Sequence, residues 1–192
     1  MGRGCVMRSL NWPNLMTSGV TGHLVTRAYE EYCDGMSIHK PTFFNDSNDA
    51  FDYWVGNVGN DMYSLDTLLA DAESLKNRLP NIVPTINDDD DALTEAWSAV
   101  TQIFIVGERI KACKSYEECL ELCDSLGERS FEVTGWDWDV YITLEIRLSL
   151  KDEYFRWGSY YNDGGSNIYE SQAIIQNIDK FKEEDYLSDV VS

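Results

Sequence analysis

From Val140 to Leu150 apolar and polar residues alternate without a break: Val140, Ile142, Leu144, Ile146, Leu148 and Leu150 are separated by Tyr141, Thr143, Glu145, Arg147 and Ser149. A period of two predicts a long strand with one buried and one wet face. The flanking segments SFEVTGW (130–136) and EYFRWGSYY (153–161) can pair with it, so an antiparallel meander of about three strands is expected. NDGGSN, residues 162–167, reads as a turn. Asn167 and Glu170 can then open a last helix carrying Ile174, Ile175, Ile178 and Phe181, followed by an acidic tail over 184–192.

Upstream the period lengthens to that of a helix. TGHLVTRAYEEYCD, residues 21–34, sets Leu24, Val25, Ala28, Tyr29 and Tyr32 at helical spacing, with Gly35 as a stop. A short helix is expected near 47–55, inside a cluster of Phe43, Phe44, Phe51, Tyr53 and Trp54. Ser64 caps a clearer one with Leu65, Leu68, Leu69, Ala72, Leu75 and Leu79 in a stripe and Pro80 beyond its end. Ala92, Leu93, Ala96, Trp97, Val100, Ile103, Phe104 and Ile110 then form a broad apolar face over several turns. Ser115 and Glu118 make a capping box for a helix with Cys119, Leu120, Leu122, Cys123 and Leu126, which Gly127 ends. The expected architecture is therefore α+β: a helical N-terminal two-thirds packed with a C-terminal meander and a last helix, in one domain over 1–192. Residues 1–20 are expected to be irregular or frayed, and Met1, Met7 and Met16 all offer a start.

Charge changes this picture from a plain domain to one with a polarised surface. The formal net charge is −19, yet 43% of residues are hydrophobic and 12% aromatic, so the chain has material for a core and is not a disordered acidic tail. Such a charge repels nucleic acid and anionic headgroups and favours basic partners. The acids are unevenly placed: residues 45–107 carry twelve acidic and two basic side chains. Within that stretch Asp88, Asp89, Asp90 and Asp91 stand directly before the broad apolar helix. One or two carboxylates at a helix N-terminus accept its free N–H groups and meet the dipole, each contributing about 0.3–1 kcal/mol. Four in a row also repel one another, and that surplus is what needs a function.

Several chemistries lack their signatures. An EF-hand starting at Asp88 or Asp89 would need Gly at its sixth position and Glu at its twelfth, and neither is there. Neither standard glycine-rich phosphate loop is present. The five cysteines, at 5, 33, 113, 119 and 123, are odd in number with no familiar zinc spacing, which suits reduced structural thiols in a cytoplasmic setting. Cys33 and His39 are near in sequence, but no third orienting group can be named. No run approaches a membrane span, no apolar h-region follows Arg3 and Arg8, and Val6 breaks the myristoylation pattern after Gly2. Asp139 with Glu145-Ile146-Arg147 echoes the D…(D/E)-x-K core of metal-dependent nucleases, although arginine in the lysine's place cannot act as a base.

The expectation that follows is a non-enzymatic protein without metal or cofactor that binds a basic protein surface, that of a nucleic-acid-binding enzyme, and blocks it. In charge and size, though in no motif, it is similar to anti-restriction, anti-CRISPR and nuclease-immunity proteins that mimic DNA. The contact residues expected are Asp46, Asp49, Asp52, Asp61, Asp88, Asp89, Asp90, Asp91, Glu95, Asp137 and Asp139, with Tyr53, Trp54, Trp136 and Trp138 as apolar anchors. Two alternatives stand beside it: a structural or adaptor protein of a virus or bacterium, and the metal-dependent nuclease.

Overall fold

The computed structural model describes residues 21–31, 37–38, 41–56, 64–78, 83–84, 90–137, 142–151, 154–162 and 168–180. Strand β6 (Ile142–Leu150) takes the alternating segment, and its burial explains the pattern. Leu144, Ile146, Leu148 and Leu150 are buried, whereas Thr143, Glu145 and Arg147 on the opposite face are half-buried. β5 (Arg129–Asp137) and β7 (Phe155–Asn162) flank it antiparallel. β7 pairs with β8 (Ile168–Asn177), and β8 in turn pairs over nine residues with β1 (His23–Glu31), from His23 opposite Asn177 to Glu31 opposite Tyr169. Short strands finish the edges: β2 (Ser37–Ile38) and β3 (Thr42–Phe44) on β1, and β4 (Val83–Pro84) on β5. Among the described residues the result is one eight-stranded antiparallel sheet in the order β2-β1-β8-β7-β6-β5-β4, with β3 also on β1.

This overturns the expected division into a helical two-thirds, a three-stranded meander and a last helix. Two segments expected as helices, 21–34 and the one after Asn167, contain strands β1 and β8. Both are interior strands whose two faces are covered. Leu24, Val25 and Thr26 are consecutive and buried, as are Gln172, Ala173, Ile174 and Ile175. A strand buried on both sides loses its alternation, and neighbouring apolar pairs such as Leu24–Val25 and Ile174–Ile175 then fit a helical period equally well.

Among the described residues four helices pack against one face of this sheet: α1 (Ser47–Val55), α2 (Leu65–Arg78), α3 (Asp90–Ala112) and α4 (Tyr116–Leu126). Asp46 caps α1 by accepting the N–H groups of Asn48 (2.8 Å) and Asp49 (3.1 Å), and Gly56, at φ 87°, ends it in the left-handed conformation that glycine adopts freely. Ser115 accepts the N–H of Glu118 (3.1 Å), while Glu118 reaches back to the N–H of Lys114 (2.8 Å), one residue before the cap. The core lies between the layers, joining Phe51, Trp54, Leu68, Leu75, Val100, Ile103 and Ile110 from the helices to Val25, Val133, Ile146, Leu148, Phe155, Trp157 and Ile175 from the strands.

Two tryptophans fasten α1 to the sheet. Trp54 is fully buried and its indole N–H donates to the Ala173 carbonyl of β8 (3.0 Å). Trp157 of β7 donates in the other direction, to the Trp54 carbonyl (2.8 Å). Both indole donors thus find acceptors inside the core, which makes the burial of these large rings favourable on polar as well as apolar grounds.

Candidate protein-contact surface

Among the described residues α3 is the longest helix, and its burial is one-sided. Val100, Ile103, Val106 and Ile110 face the core, and Gly107 lies so close to Leu69 of α2 that a side chain there would strike it. Asp66 of α2 meets the Lys111 ammonium at 2.6 Å, which fixes the two helices side by side. The other side of α3 is exposed, and among polar residues such as Ser98, Gln102, Glu108 and Arg109 it carries large apolar ones. Trp97, Phe104 and Ile105 are 40%, 39% and 46% exposed, and these three are the exposed large hydrophobic residues among the described ones. Trp97, Thr101, Phe104 and Glu108 fall at spacings of four, three and four, so they share one stripe, with Ile105 beside it. Nine residues from Trp97 to Ile105 rise about 12 Å. The Thr101 hydroxyl in the middle donates to the Trp97 carbonyl (2.8 Å), so it presents no unmet donor to a partner.

Glu108 continues this stripe, whereas Glu95 lies about 160–180° around the helix from Trp97 and Phe104. Asp90 and Asp91 are the first two residues of α3, and Glu95 and Glu108 are exposed along it. The sequence sets Trp97 and Phe104 on one broad apolar face with Val100, Ile103 and Ile110, and the structure buries only part of that face. The apolar residues of 92–110 span a wider arc than one helix face can bury, and Trp97 and Phe104 sit at the margin of the Val100–Ile103–Ile110 stripe.

A second group of acids lies where α1 meets α4. Asp49 and Asp52 are exposed on α1, and Asp46 is exposed while it caps that helix. Ser47 donates to Glu117 of α4 (3.1 Å), which ties the two N-terminal turns together. Between them His23 of β1 is buried, with its ring edge-on to Tyr116 at a centroid distance of 4.3 Å and no hydrogen-bond partner at either nitrogen. Burial holds its pKa below 6.5, and the carboxylates of Glu117 and Asp46 pull the other way. Because the unfolded chain then binds the proton more readily than the folded one, stability is full above pH 6.5 and falls as the pH drops toward the folded pKa. His23→Phe, which keeps a ring against Tyr116, is expected to lose less stability than the parent between roughly pH 7 and pH 5.5, as read by urea midpoints. Equal losses in both proteins would show that the histidine does not titrate in this way.

The remaining expected contact residues are dispersed. Trp54 is in the core rather than at the surface, and Tyr53 is half-buried with its ring 5.3 Å from that of Phe44. Trp136 and Asp137 belong to β5, opposite Thr143 and Ile142. Asp61, Asp88, Asp89, Trp138 and Asp139 lie outside the described residues. Asp71, in the acidic stretch, is turned inward, accepts a hydrogen bond from Ser159 of β7 (2.8 Å), and has its pKa raised by burial.

Arg147 sits 2.9 Å from Glu145 and 3.1 Å from Glu132, so the Glu145-Ile146-Arg147 triplet forms part of a cross-strand ion-pair set. Among the described residues no group of three or more His, Cys, Asp or Glu side chains is placed to hold a metal ion, and no helix is long and apolar enough to cross a membrane. Cys119 and Cys123 are buried and Cys113 is half-buried, and burial raises the Cys113 and Cys119 thiol pKa values, which makes both poor nucleophiles. Cys5, Cys33 and His39 lie outside the described residues. No protein-family model, curated protein or solved structure matches the chain.

Proposed function

We propose that this protein acts in the cytoplasm by protein contact, as an acidic inhibitor that covers the basic site of a nucleic-acid-binding enzyme, in the manner of DNA-mimicking anti-restriction, anti-CRISPR or nuclease-immunity proteins. The observation that carries the reading is the exposed Trp97–Phe104–Ile105 stripe, continued by the exposed Glu108, on a helix that begins at Asp90 and Asp91. Apolar residues give a contact its residence time, and acids around them give it orientation and speed of encounter. A surface that joins both suits a partner whose apolar patch is rimmed by Lys and Arg, as the margins of a nucleic-acid channel are. The same stripe also fits a permanent place in an assembly, so a structural or adaptor role in a virus or bacterium is the second reading.

The aspartate run separates the two. Replacing Asp88, Asp89, Asp90 and Asp91 together by Asn is expected to keep the fold and to slow association with the enzyme about tenfold at low salt, with a shallower salt dependence. Surface plasmon resonance at several ionic strengths, with the partner recovered from the host, gives both numbers. An unchanged association rate would reduce the run to a helix cap and favour the structural role.

A further inference from the structure

On the sheet face away from the helices, β7 carries a glycine at its centre. Gly158 stands opposite Arg147 of β6 and Gln172 of β8, and its missing side chain leaves a half-open recess lined by those two residues, Arg156, Tyr160 and Glu145. Its cavity volume is about 30 Å³, above the roughly 10–15 Å³ that one water needs. Ser159 contributes backbone only, since its hydroxyl is turned to Asp71 under the helices.

The polar groups around this recess are mostly donors. Arg156 is 8% exposed and its Nη2 donates to Gln172 Oε1 (2.8 Å). A guanidinium has no acceptor, so this bond fixes the orientation of the amide, and the Gln172 NH₂, on a side chain 5% exposed, must look elsewhere. Tyr160 Oη accepts from Asn162 Nδ2 (3.0 Å), which leaves its own proton to give. Neither the Gln172 NH₂ nor the Tyr160 hydroxyl has an acceptor among the described residues. The lining acid, Glu145, is engaged with Arg147. The Gln172 amide and the Tyr160 phenol therefore bring N–H and O–H groups to a space that two guanidinium groups also line.

We propose that this recess is a binding site for the anionic oxygens of a small ligand, a carboxylate or a phosphate. Arg156 supplies the buried charge, Gln172 and Tyr160 supply oriented donors, and Gly158 supplies the room. The site lies on the face opposite the α3 stripe and is independent of the inhibitor reading. A chain with net charge −19 opposes any anion at long range, so the affinity is expected in the millimolar range.

NMR titration with sodium acetate and with sodium phosphate, against sodium chloride at equal ionic strength, tests it. The expected result is saturable shifts at residues of β6, β7 and β8 with acetate, phosphate or both, and none with chloride. Acetate alone would assign a carboxylate ligand and phosphate alone a phosphate. Tyr160→Phe is expected to weaken binding about tenfold, the loss of one hydrogen bond to a charged group. Gly158→Ala, which adds a methyl group to a strand position without positive φ, is expected to abolish it. Shifts that do not saturate, that chloride reproduces, or that both variants retain at parent affinity would overturn the proposal.

Discussion

Truncation of Trp97, Phe104 and Ile105 together to alanine is expected to remove partner binding while leaving a folded protein. These residues already stand about 40% or more out of the structure, so the fold loses only part of each side chain's burial. Alanine's better helix propensity returns a few tenths of a kcal/mol per position. A net cost of about 1–2 kcal/mol in stability is expected, smaller than that of a core truncation. Binding should suffer far more. Aromatic anchors at the centre of an interface typically cost about 2 kcal/mol or more each when truncated, and losses combine to a drop in affinity on the order of a thousandfold. Circular dichroism checks the fold, and calorimetry with the recovered partner checks the affinity. Parent-like binding by a folded triple variant would remove α3 from the interface.

The largest stability effect is expected at the other end of the helix layer. Trp54→Ala empties a fully buried indole site and should cost about 3–5 kcal/mol, against the roughly 5–15 kcal/mol by which domains of this kind are stable. The indole also carries the hydrogen bond from α1 to the Ala173 carbonyl, and its ring lies 6.0 Å from that of Phe155 and 5.9 Å from that of Phe51. Trp54→Phe keeps most of the ring and loses the N–H, so it should cost less, about 1–3 kcal/mol. Urea unfolding at neutral pH gives both values. If Trp54→Ala cost under about 1 kcal/mol, α1 would not be fastened through this residue.

The sequence was most legible where one face of an element is wet. The alternation at 140–150 marks β6, the stripe from Leu65 to Leu75 marks α2, and Ser115 with Glu118 marks the start of α4. It was least legible in the middle of the sheet. β1 and β8 join the two ends of the chain over nine residue pairs, and such a pairing leaves no local trace. Once both faces are covered, Leu24–Val25 and Ile174–Ile175 carry the apolar density of a buried helix as readily as that of a strand.

For the contact surface, charge could be read but exposure could not. The acids at 46, 49, 52, 90, 91 and 95 are visible as charge in the sequence, and the structure leaves Asp46, Asp49, Asp52 and Glu95 exposed. Which aromatics accompany them depends on which residues the core has room for. The core takes Trp54 and leaves Trp97 partly exposed. The recess at Gly158 left no mark in the sequence either, because it requires the register that sets Arg147, Gly158 and Gln172 in one row across three strands.

The most direct measurement is a paired pull-down from the host extract, with the parent protein and the Trp97→Ala/Phe104→Ala/Ile105→Ala variant as baits, washed at rising salt, eluted with duplex DNA and read by mass spectrometry. The account predicts that the parent retains a nucleic-acid-binding enzyme that DNA releases, and that the variant does not retain it. Equal recovery on both baits, or recovery only of a partner that resists salt and ignores DNA, would contradict it.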